Sequence, residues 1–275
     1  MTWYFTEDPA VFRAAAGPLL AAEPARNTTV LTLMDRAVRL GWWADPDGRV
    51  TGTVAVAPPC VPLLGAVTVA AARALASVLP YGPGEAPTEV RGETGPVEAF
   101  ADAFAGATGR SWAPGVRLRL FRLGTLVPPD PEPVGRARVA GPEDVPLATG
   151  WAREFARDIG DDPDARDLTG PVTERVTEGR LLLWEDPGGH PVSMAAVSRT
   201  LEGQACVHLV YTPPAERGRG YAAGVTTAVT RTALATGTEQ VLLFTDLANP
   251  TSNGLYRRLG YRPVTDHLSA VFTAP

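Results

Sequence analysis

The chain has 275 residues, 45% of them apolar and 20% charged, with a formal net charge of -5. That composition describes a globular protein able to bury a sizeable core in one large domain or two ordinary ones, and it removes the electrostatic basis for nucleic acid or an anionic membrane as a partner. Two cysteines, Cys60 and Cys206, without CxxC spacing, exclude a disulfide framework and a structural zinc site and fit a reduced cytoplasmic setting. The first residues, MTWYFTEDPA, carry no signal-peptide pattern, no apolar run reaches the length of a membrane span, and no metal-ligating set emerges.

In chain order, Asp8 to Ala22 and Pro24 to Leu40 predict two helices, Gly41 to Asp45 and Val50 to Ala57 a hairpin about DPDG, and Val67 to Leu79 a third helix. Thr88 to Arg91 reads as a strand, Pro96 to Ala107 as a helix and Val116 to Leu123 as a strand. Gly92, Gly95 and Pro96 precede a helix but lack the arginine and the glycine spacing of an anion loop. Val127 to Gly135, VPPDPEPVG, has the proline density of an extended segment without its own core. It therefore divides the chain into a domain over 1–126, a linker over 127–135 and a domain over 136–275.

Beyond the linker, Arg136 to Ala140 predicts an edge strand, and residues 141–160 a helix with Pro142 in its first turn and acidic residues beside its N-terminus. Leu168 to Glu178 continues as a helix, Leu181 to Trp184 and Val192 to Arg199 as strands about a turn at Asp186 to His190. Cys206 to Tyr211 is apolar and β-branched enough for another strand, which Pro213 and Pro214 end because proline donates no N–H. Arg217, Gly218, Arg219 and Gly220 follow. From Tyr221, the apolar residues Ala222, Val225, Val229, Ala233 and Ala235 keep helical spacing. A helix that starts on glycines presents unbonded N–H groups and the positive end of its dipole, so a phosphate-bearing ligand is the natural guest.

Spacing separates the known phosphate loops. A Walker loop needs lysine, and every one of the 25 basic residues is arginine. Gly218, Gly220 and Ala223, with Glu239 further on, allow a weak dinucleotide fingerprint. The pattern R/QxxGxG/A fits better, on Arg217, Gly220 and Ala222. Val241 to Thr245 then predicts a buried strand, Asn249-Pro250 a turn, Thr251 or Ser252 a helix cap and Gly260 a left-handed helix end; Arg262 to Val264 and Ser269 to Thr273 supply the last strands.

With Asn249, Tyr256, Gly260 and Tyr261 at that distance downstream, the loop makes about half of the chain resemble the GCN5-related N-acetyltransferase (GNAT) superfamily. The resemblance implies an α/β (α+β) fold whose central sheet is mixed, mostly antiparallel and flanked by helices. Because the first half echoes the element order of the second, it also implies a tandem arrangement: a degenerate copy over 1–126 and a catalytic domain over 136–275. The co-substrate it implies is acetyl-coenzyme A, with no metal. Its pyrophosphate would lie on the N–H groups of Arg217, Gly218, Arg219, Gly220, Tyr221 and Ala222, with the Arg217 and Arg219 side chains adding charge. The backbone of Val210, Tyr211 and Thr212 would hold the pantetheine arm and one N–H the developing oxyanion, while Asn249 and Asn253 contact the cofactor. Tyr256 stands where family members serve the departing thiolate.

Cys206 stands where histone-acetylating relatives carry a glutamate, a departure that argues against a histone-type enzyme. His208, two residues along, has the intrinsic pKa of a base, or is a buried hydrogen-bonded histidine. Glu154, Asp158, Asp161, Asp162, Asp164 and Asp167 lie where the family lines its acceptor pocket, as ligands for a cationic amine or as solvated caps. His190 and His267 read as surface residues. The expected reaction is acetyl transfer to a primary amine of a small molecule or peptide. The alternatives are a non-catalytic acyl-coenzyme A sensing module and a tandem enzyme resembling mycothiol synthase. Nothing in the sequence sets the oligomeric state.

Overall fold

The computed structural model describes residues 1–82, 86–165 and 167–273. The chain divides into two compact units, one of Met1–Leu120, Thr245–Asn249 and Pro263–Pro275, the other of Phe121–Phe244 and Pro250–Arg262. The first unit contains β1 (Thr2–Thr6), α1 (Pro9–Ala22), α2 (Thr28–Leu33), β2 (Arg39–Ala44), β3 (Val50–Ala57), β4 (Val61–Leu64), α3 (Val69–Val78), β5 (Glu89–Glu93), α4 (Thr94–Thr108) and most of β6 (Trp112–Leu123). The same order then repeats as β7 (Arg136–Val139), α5 (Val145–Asp158), α6 (Thr169–Thr177), β8 (Leu181–Glu185), β9 (Pro191–Val197), β10 (Gln204–Tyr211), α7 (Tyr221–Ala235), β11 (Gln240–Asp246), α8 (Pro250–Arg258) and β12 (Tyr261–Phe272).

In the first unit the strand order is β1-β2-β3-β4-β5-β12-β6. It is antiparallel from β1 to β4, parallel between β4 and β5, and antiparallel where β12 meets β5 from His267↔Glu93 to Val271↔Glu89. In the second unit β11, β10, β9, β8 and β7 follow one another, with β10 and β11 parallel and the other pairs antiparallel. The chain passes from the first unit to the second within β6, after Leu120, and β12 leaves the second after Arg262.

Alternation explains why the second unit's sheet is covered on both faces. Leu182 and Trp184 of β8 join Val192, Val197, Val207 and the buried face of α7; Leu181 and Leu183 join Ala148 and Trp151 of α5 and Val172 and Val176 of α6. Successive side chains point to opposite faces, so a strand buried on both sides reads as a continuous apolar run. Local chemistry sets the helix ends. Asp8 Oδ1 accepts from the Ala10 N–H at 2.8 Å with Pro9 in the first turn of α1, and Gly109 closes α4 in the left-handed region.

The structure differs from the expected elements at four places. Residues 24–40 do not form one helix: α2 ends at Leu33, a 3-10 turn follows, and β2 begins at Arg39 because pairing with β1 and β3 outweighs local propensity. β1 and β4 are additional strands, the latter holding Pro62, a residue that argues against a strand in sequence. The last two expected strands are one, β12. Residues 127–135 form neither helix nor strand and group with the second unit: Val127 N–H donates to Leu259 O at 3.0 Å and Trp184 Nε1 to Val134 O at 3.0 Å.

Gly260 has φ of 96°, and a Cβ there would stand 1.8 Å from Thr125 O. Gly260→Ala is therefore expected to destabilise by about 2 kcal/mol or more, lowering the melting temperature by roughly 4 °C or more. Calorimetry of the variant checks this; an unchanged melting temperature would contradict the close approach.

Candidate active site

The site begins where two parallel strands part. β10 and β11 keep register from Gln204↔Gln240 to Val207↔Leu243. On its other side β10 pairs with β9 through His208↔Ala196, and the register shifts before Tyr211↔Met194. Leu209, inside that bulge, has φ of 55°. A γ-branched residue held in the left-handed region costs about 1 to 3 kcal/mol and persists only where its surroundings enforce it. Bulges bend a strand and re-aim its groups. Ser193 of β9 then binds Tyr211 O at 3.0 Å and Thr212 Oγ1 at 2.9 Å, anchoring the strand end from the β9 side.

The turn after β10 is built from backbone. Pro214–Glu216 makes a single 3-10 turn, Arg217 is extended, and Gly218 and Gly220 take φ of 79° and 82°. Gly220 is the N-cap of α7 and brings no side chain to cap it. Ala223 and Gly224 both donate to Gly220 O, at 2.9 and 3.1 Å, so the N–H groups of Tyr221 and Ala222 precede the first intrahelical bond. Among the described residues, Gly218 and its two chain neighbours aside, no atom lies within 4 Å of where a Gly218 Cβ would stand. An oxyanion can reach this backbone, and the dipole of a 15-residue helix favours it. Pro133 and Trp184 lie 2.8 Å from the site of a Gly224 Cβ, so a glycine at that position lets the 127–135 segment lie against α7.

The arginines of the turn are held by carboxylates. Arg217 donates through Nε to Thr212 O at 2.9 Å, pairs with Asp158 at 2.5 Å and lies 5.8 Å over the Tyr211 ring; Arg219 pairs with Glu216 at 2.9 Å. Glu154 accepts from the Tyr211 hydroxyl at 2.8 Å. Glu154 and Asp158, four apart on α5, share a helix face and both address the end of β10. Burial, then Glu154, push the Tyr211 phenol up to about 12. Three other carboxylates of this region bond to the backbone or to an arginine beside them. Asp162 accepts from the Asp164 N–H, Asp164 pairs with Arg153, and Asp167 accepts from the Thr169 and Gly170 N–H groups at the start of α6.

Tyr256 of α8 is buried, with its ring edge against Tyr261 at 6.1 Å, and Tyr261 in turn hydrogen-bonds Thr230 at 2.7 Å. Burial, and then the neighbouring Cys206, hold its phenol above the usual range. Burial also pushes the Cys206 thiol up to about 12, against a hydrogen bond from the Phe244 N–H. Asn253 is buried on α8, one turn before Tyr256, whereas Asn249 is exposed, donates its N–H to Asp246 O and belongs to the first unit.

His208 is placed differently from a base. Arg175 Nε lies 2.7 Å from its Nε2, and a guanidinium can only donate, so Nε2 accepts and the proton sits on Nδ1, where it bonds Cys206 O at 3.0 Å. Burial, then Arg175, hold the imidazole down to about 4. A proton acceptor needs an open lone pair, and Arg175 occupies this one. Neither Arg175 nor the Leu209 bulge has a motif that sequence reasoning could have found. His190 is exposed as expected, but His267 is buried in the first unit at 8% exposure.

The first unit treats the equivalent turn, between β4 and α3, in the opposite way. Gly65 N–H donates to Thr53 O, Asn27 Oδ1 accepts from the Ala66 N–H at 3.0 Å and the Thr53 hydroxyl at 2.6 Å, and Thr68 Oγ1 caps the Ala71 N–H. The N–H groups of Gly65, Ala66 and Ala71 are thus used internally. A depression of about 480 Å³ beside α4 is lined by Glu93, Thr94, Arg119 and Asp266, whose charges are matched in Arg119–Asp266 and Arg26–Glu93 pairs. Among the described residues no group of three or more His, Cys, Asp or Glu can hold a metal ion, and no helix is long and apolar enough to cross a membrane.

Residues 147–261 match the family model described as the acetyltransferase (GNAT) family. Along nearly its whole length the chain is similar in fold to a GCN5-related N-acetyltransferase from Sphaerobacter thermophilus, at 18% identity and a TM-score of 0.64, covering 99% of this chain and 96% of that one. It is likewise similar to one from Kribbella flavida, at 19% identity, a TM-score of 0.64 and coverage of 93% and 96%. An acetyltransferase of the GNAT family from Colwellia psychrerythraea is covered completely, as is this chain, at 12% identity and a TM-score of 0.62. No curated protein matches the sequence.

Cys60 is buried, and Cys206 is half-buried with its ionisation suppressed. Because the thiolate is the reactive form, both are expected to react slowly with a disulfide reagent in the native protein and fast after denaturation. A fast native reaction assigned to Cys206 by mass spectrometry would contradict this environment.

Proposed function

Residues 147–261 belong to the acetyltransferase (GNAT) family, and from that premise we propose that the protein transfers the acetyl group of acetyl-coenzyme A directly to a primary amine of a small molecule or peptide. The observation that carries the reading is the continuous path from the bulge of β10 to the open N-terminus of α7. Backbone N–H groups from Gly218 to Ala222 receive the pyrophosphate, with Arg217 and Arg219 exchanging some of their carboxylate contacts for phosphate oxygens. Val210, Tyr211 and Thr212 offer backbone groups to the pantetheine arm, as an added strand does in sheet pairing.

The chemistry asked of the protein is modest. The amine nitrogen bonds to the acetyl carbon, the carbon–sulfur bond breaks and the amine proton leaves to solvent. A bulge N–H aimed at the carbonyl oxygen stabilises the charge that develops there, and alignment of the two substrates supplies much of the remaining acceleration. Tyr256 serves the departing sulfur as a hydrogen-bond donor. From the ordinary values of thiol and phenol, full proton transfer is uphill by about 2 kcal/mol, and burial of Tyr256 widens that gap. Glu154 and Asp158 place negative charge beside the end of β10, which suits a cationic acceptor. His208 takes no part as a base. The first unit, in this reading, is a degenerate copy, its turn tied at Ala66 to Asn27, that binds no second coenzyme, and two cysteines without CxxC spacing accord with a reducing cytoplasm.

A library of amines incubated with acetyl-coenzyme A, monitored by free thiol, tests the reading: at least one amine is expected to release coenzyme A with formation of its amide. Tight coenzyme binding without release for any amine would sink it. Tyr256→Phe is expected to lower kcat by roughly tenfold to a hundredfold with coenzyme affinity retained. Replacing Arg217 and Arg219 together by alanine should weaken coenzyme A binding by about tenfold or more in calorimetry, and unchanged affinity would remove the pyrophosphate from this turn.

A further inference from the structure

We propose that Arg175 and His208 form a positioning pair that clamps the bulge of β10, so that the backbone between His208 and Tyr211 faces the thioester carbonyl. This rests on the acetyl-transfer reading. Neither residue touches the reacting atoms; both act through the strand.

Two contacts reach the bulge from outside it, a hydrogen bond to His208 and the packing of Leu209. Arg175, on α6, is oriented from two directions, donating through Nη1 to Pro171 O at 2.6 Å on its own helix and through Nε to His208 Nε2 at 2.7 Å. The imidazole passes the constraint on, its Nδ1–H binding Cys206 O at 3.0 Å, one residue before the last parallel pair with β11. Leu209, the residue with φ of 55°, packs against the cluster that contains Val172 and Val176, on the same helix as Arg175. The strand is thus held on consecutive residues, at His208 by a side-chain hydrogen bond from α6 and at Leu209 by the apolar cluster to which α6 contributes Val172 and Val176.

The electrostatics suit a fixed neutral link. Arg175 and Arg180 are the charges acting on His208, and both disfavour a protonated ring. An imidazolium would also lose the lone pair that Arg175 uses. Cutting the link leaves an unusual backbone conformation with less to enforce it, and relaxation of Leu209 would turn the neighbouring N–H groups away from the substrate. The pyrophosphate turn, anchored separately through Ser193 and Thr212, would keep its place.

The test compares Arg175→Met, His208→Ala and His208→Gln. Glutamine offers an oxygen to Arg175 at a similar reach and has no titrating group, so it separates a clamp from a base. Arg175→Met and His208→Ala are expected to lower kcat by roughly tenfold to a hundredfold with the coenzyme A dissociation constant changed by less than about threefold. His208→Gln is expected to keep kcat within about threefold of wild type, with the same pH–rate profile. Hydrogen exchange of the ligand-free proteins is the second arm, with faster exchange at Leu209 and Val210 expected in the first two variants and wild-type protection in the third.

If His208→Gln is as impaired as His208→Ala and loses a limb of the pH profile, His208 is a base and the proposal is overturned. It is equally overturned if exchange at the bulge is unchanged in all variants. Should His208→Ala unfold, Arg175→Met against His208→Gln makes the same comparison. Should the wild type turn over no amine, the acetyl-transfer reading fails, while the exchange arm still decides whether the pair clamps the strand.

Discussion

The candidate site depends on an interruption in β-sheet pairing. A parallel ladder satisfies backbone groups on both strands and leaves nothing for a ligand. β10 obeys it through Val207 and then departs, through a register shift toward β9 and a positive φ at Leu209. That departure is unfavourable by itself, and packing from α5 and α6 with the Arg175–His208 contact offsets it. Everything proposed for the site follows from it: the strand end that receives an extended arm, the N–H near a reacting carbonyl, and the turn that delivers the chain to the tip of α7.

The anion site proposed for this acidic protein would rest on dipoles more than on net charge. The two arginines of the turn are matched by Asp158 and Glu216, which leaves helix N–H groups and glycine backbone to attract an anion in that reading. Exposed ion pairs of this kind contribute little to stability, typically under about 1 kcal/mol each, and are readily exchanged for a phosphate contact. The same helix end can be closed. At the β4–α3 turn Asn27 Oδ1, Thr53 O and Thr68 Oγ1 accept from the N–H groups of Ala66, Gly65 and Ala71, whereas Gly220 brings no side chain to cap α7. Repetition of one element order therefore carries no obligation to repeat one site.

Much of the second unit was legible because its residues act locally. Pro213 and Pro214 end a strand, Gly218 and Gly220 take left-handed backbone, and Gly260 stands where Thr125 approaches too closely for any side chain. Each residue type states its own backbone requirement. The failures are of the opposite kind. β1, β4 and the true start of β2 exist because neighbours in the sheet need partners, and Pro62 or the run 24–40 reads otherwise in isolation. His208 has the ordinary pKa of a base on paper; only α6, brought across the strand, shows that its lone pair is taken.

Sequence alone determined the strand, glycine turn and helix from β10 to α7, the place of Tyr256 in the chain, and the resemblance to the family whose model residues 147–261 match, because these rest on short-range backbone rules and spacing. Tertiary structure decided where β10 leaves β11, that Leu209 is held at positive φ, that the arginines of the turn face carboxylates, and that the Nε2 lone pair of His208 meets Arg175. Those features arise from residues far apart in the chain meeting across a sheet, and no local pattern encodes such a meeting.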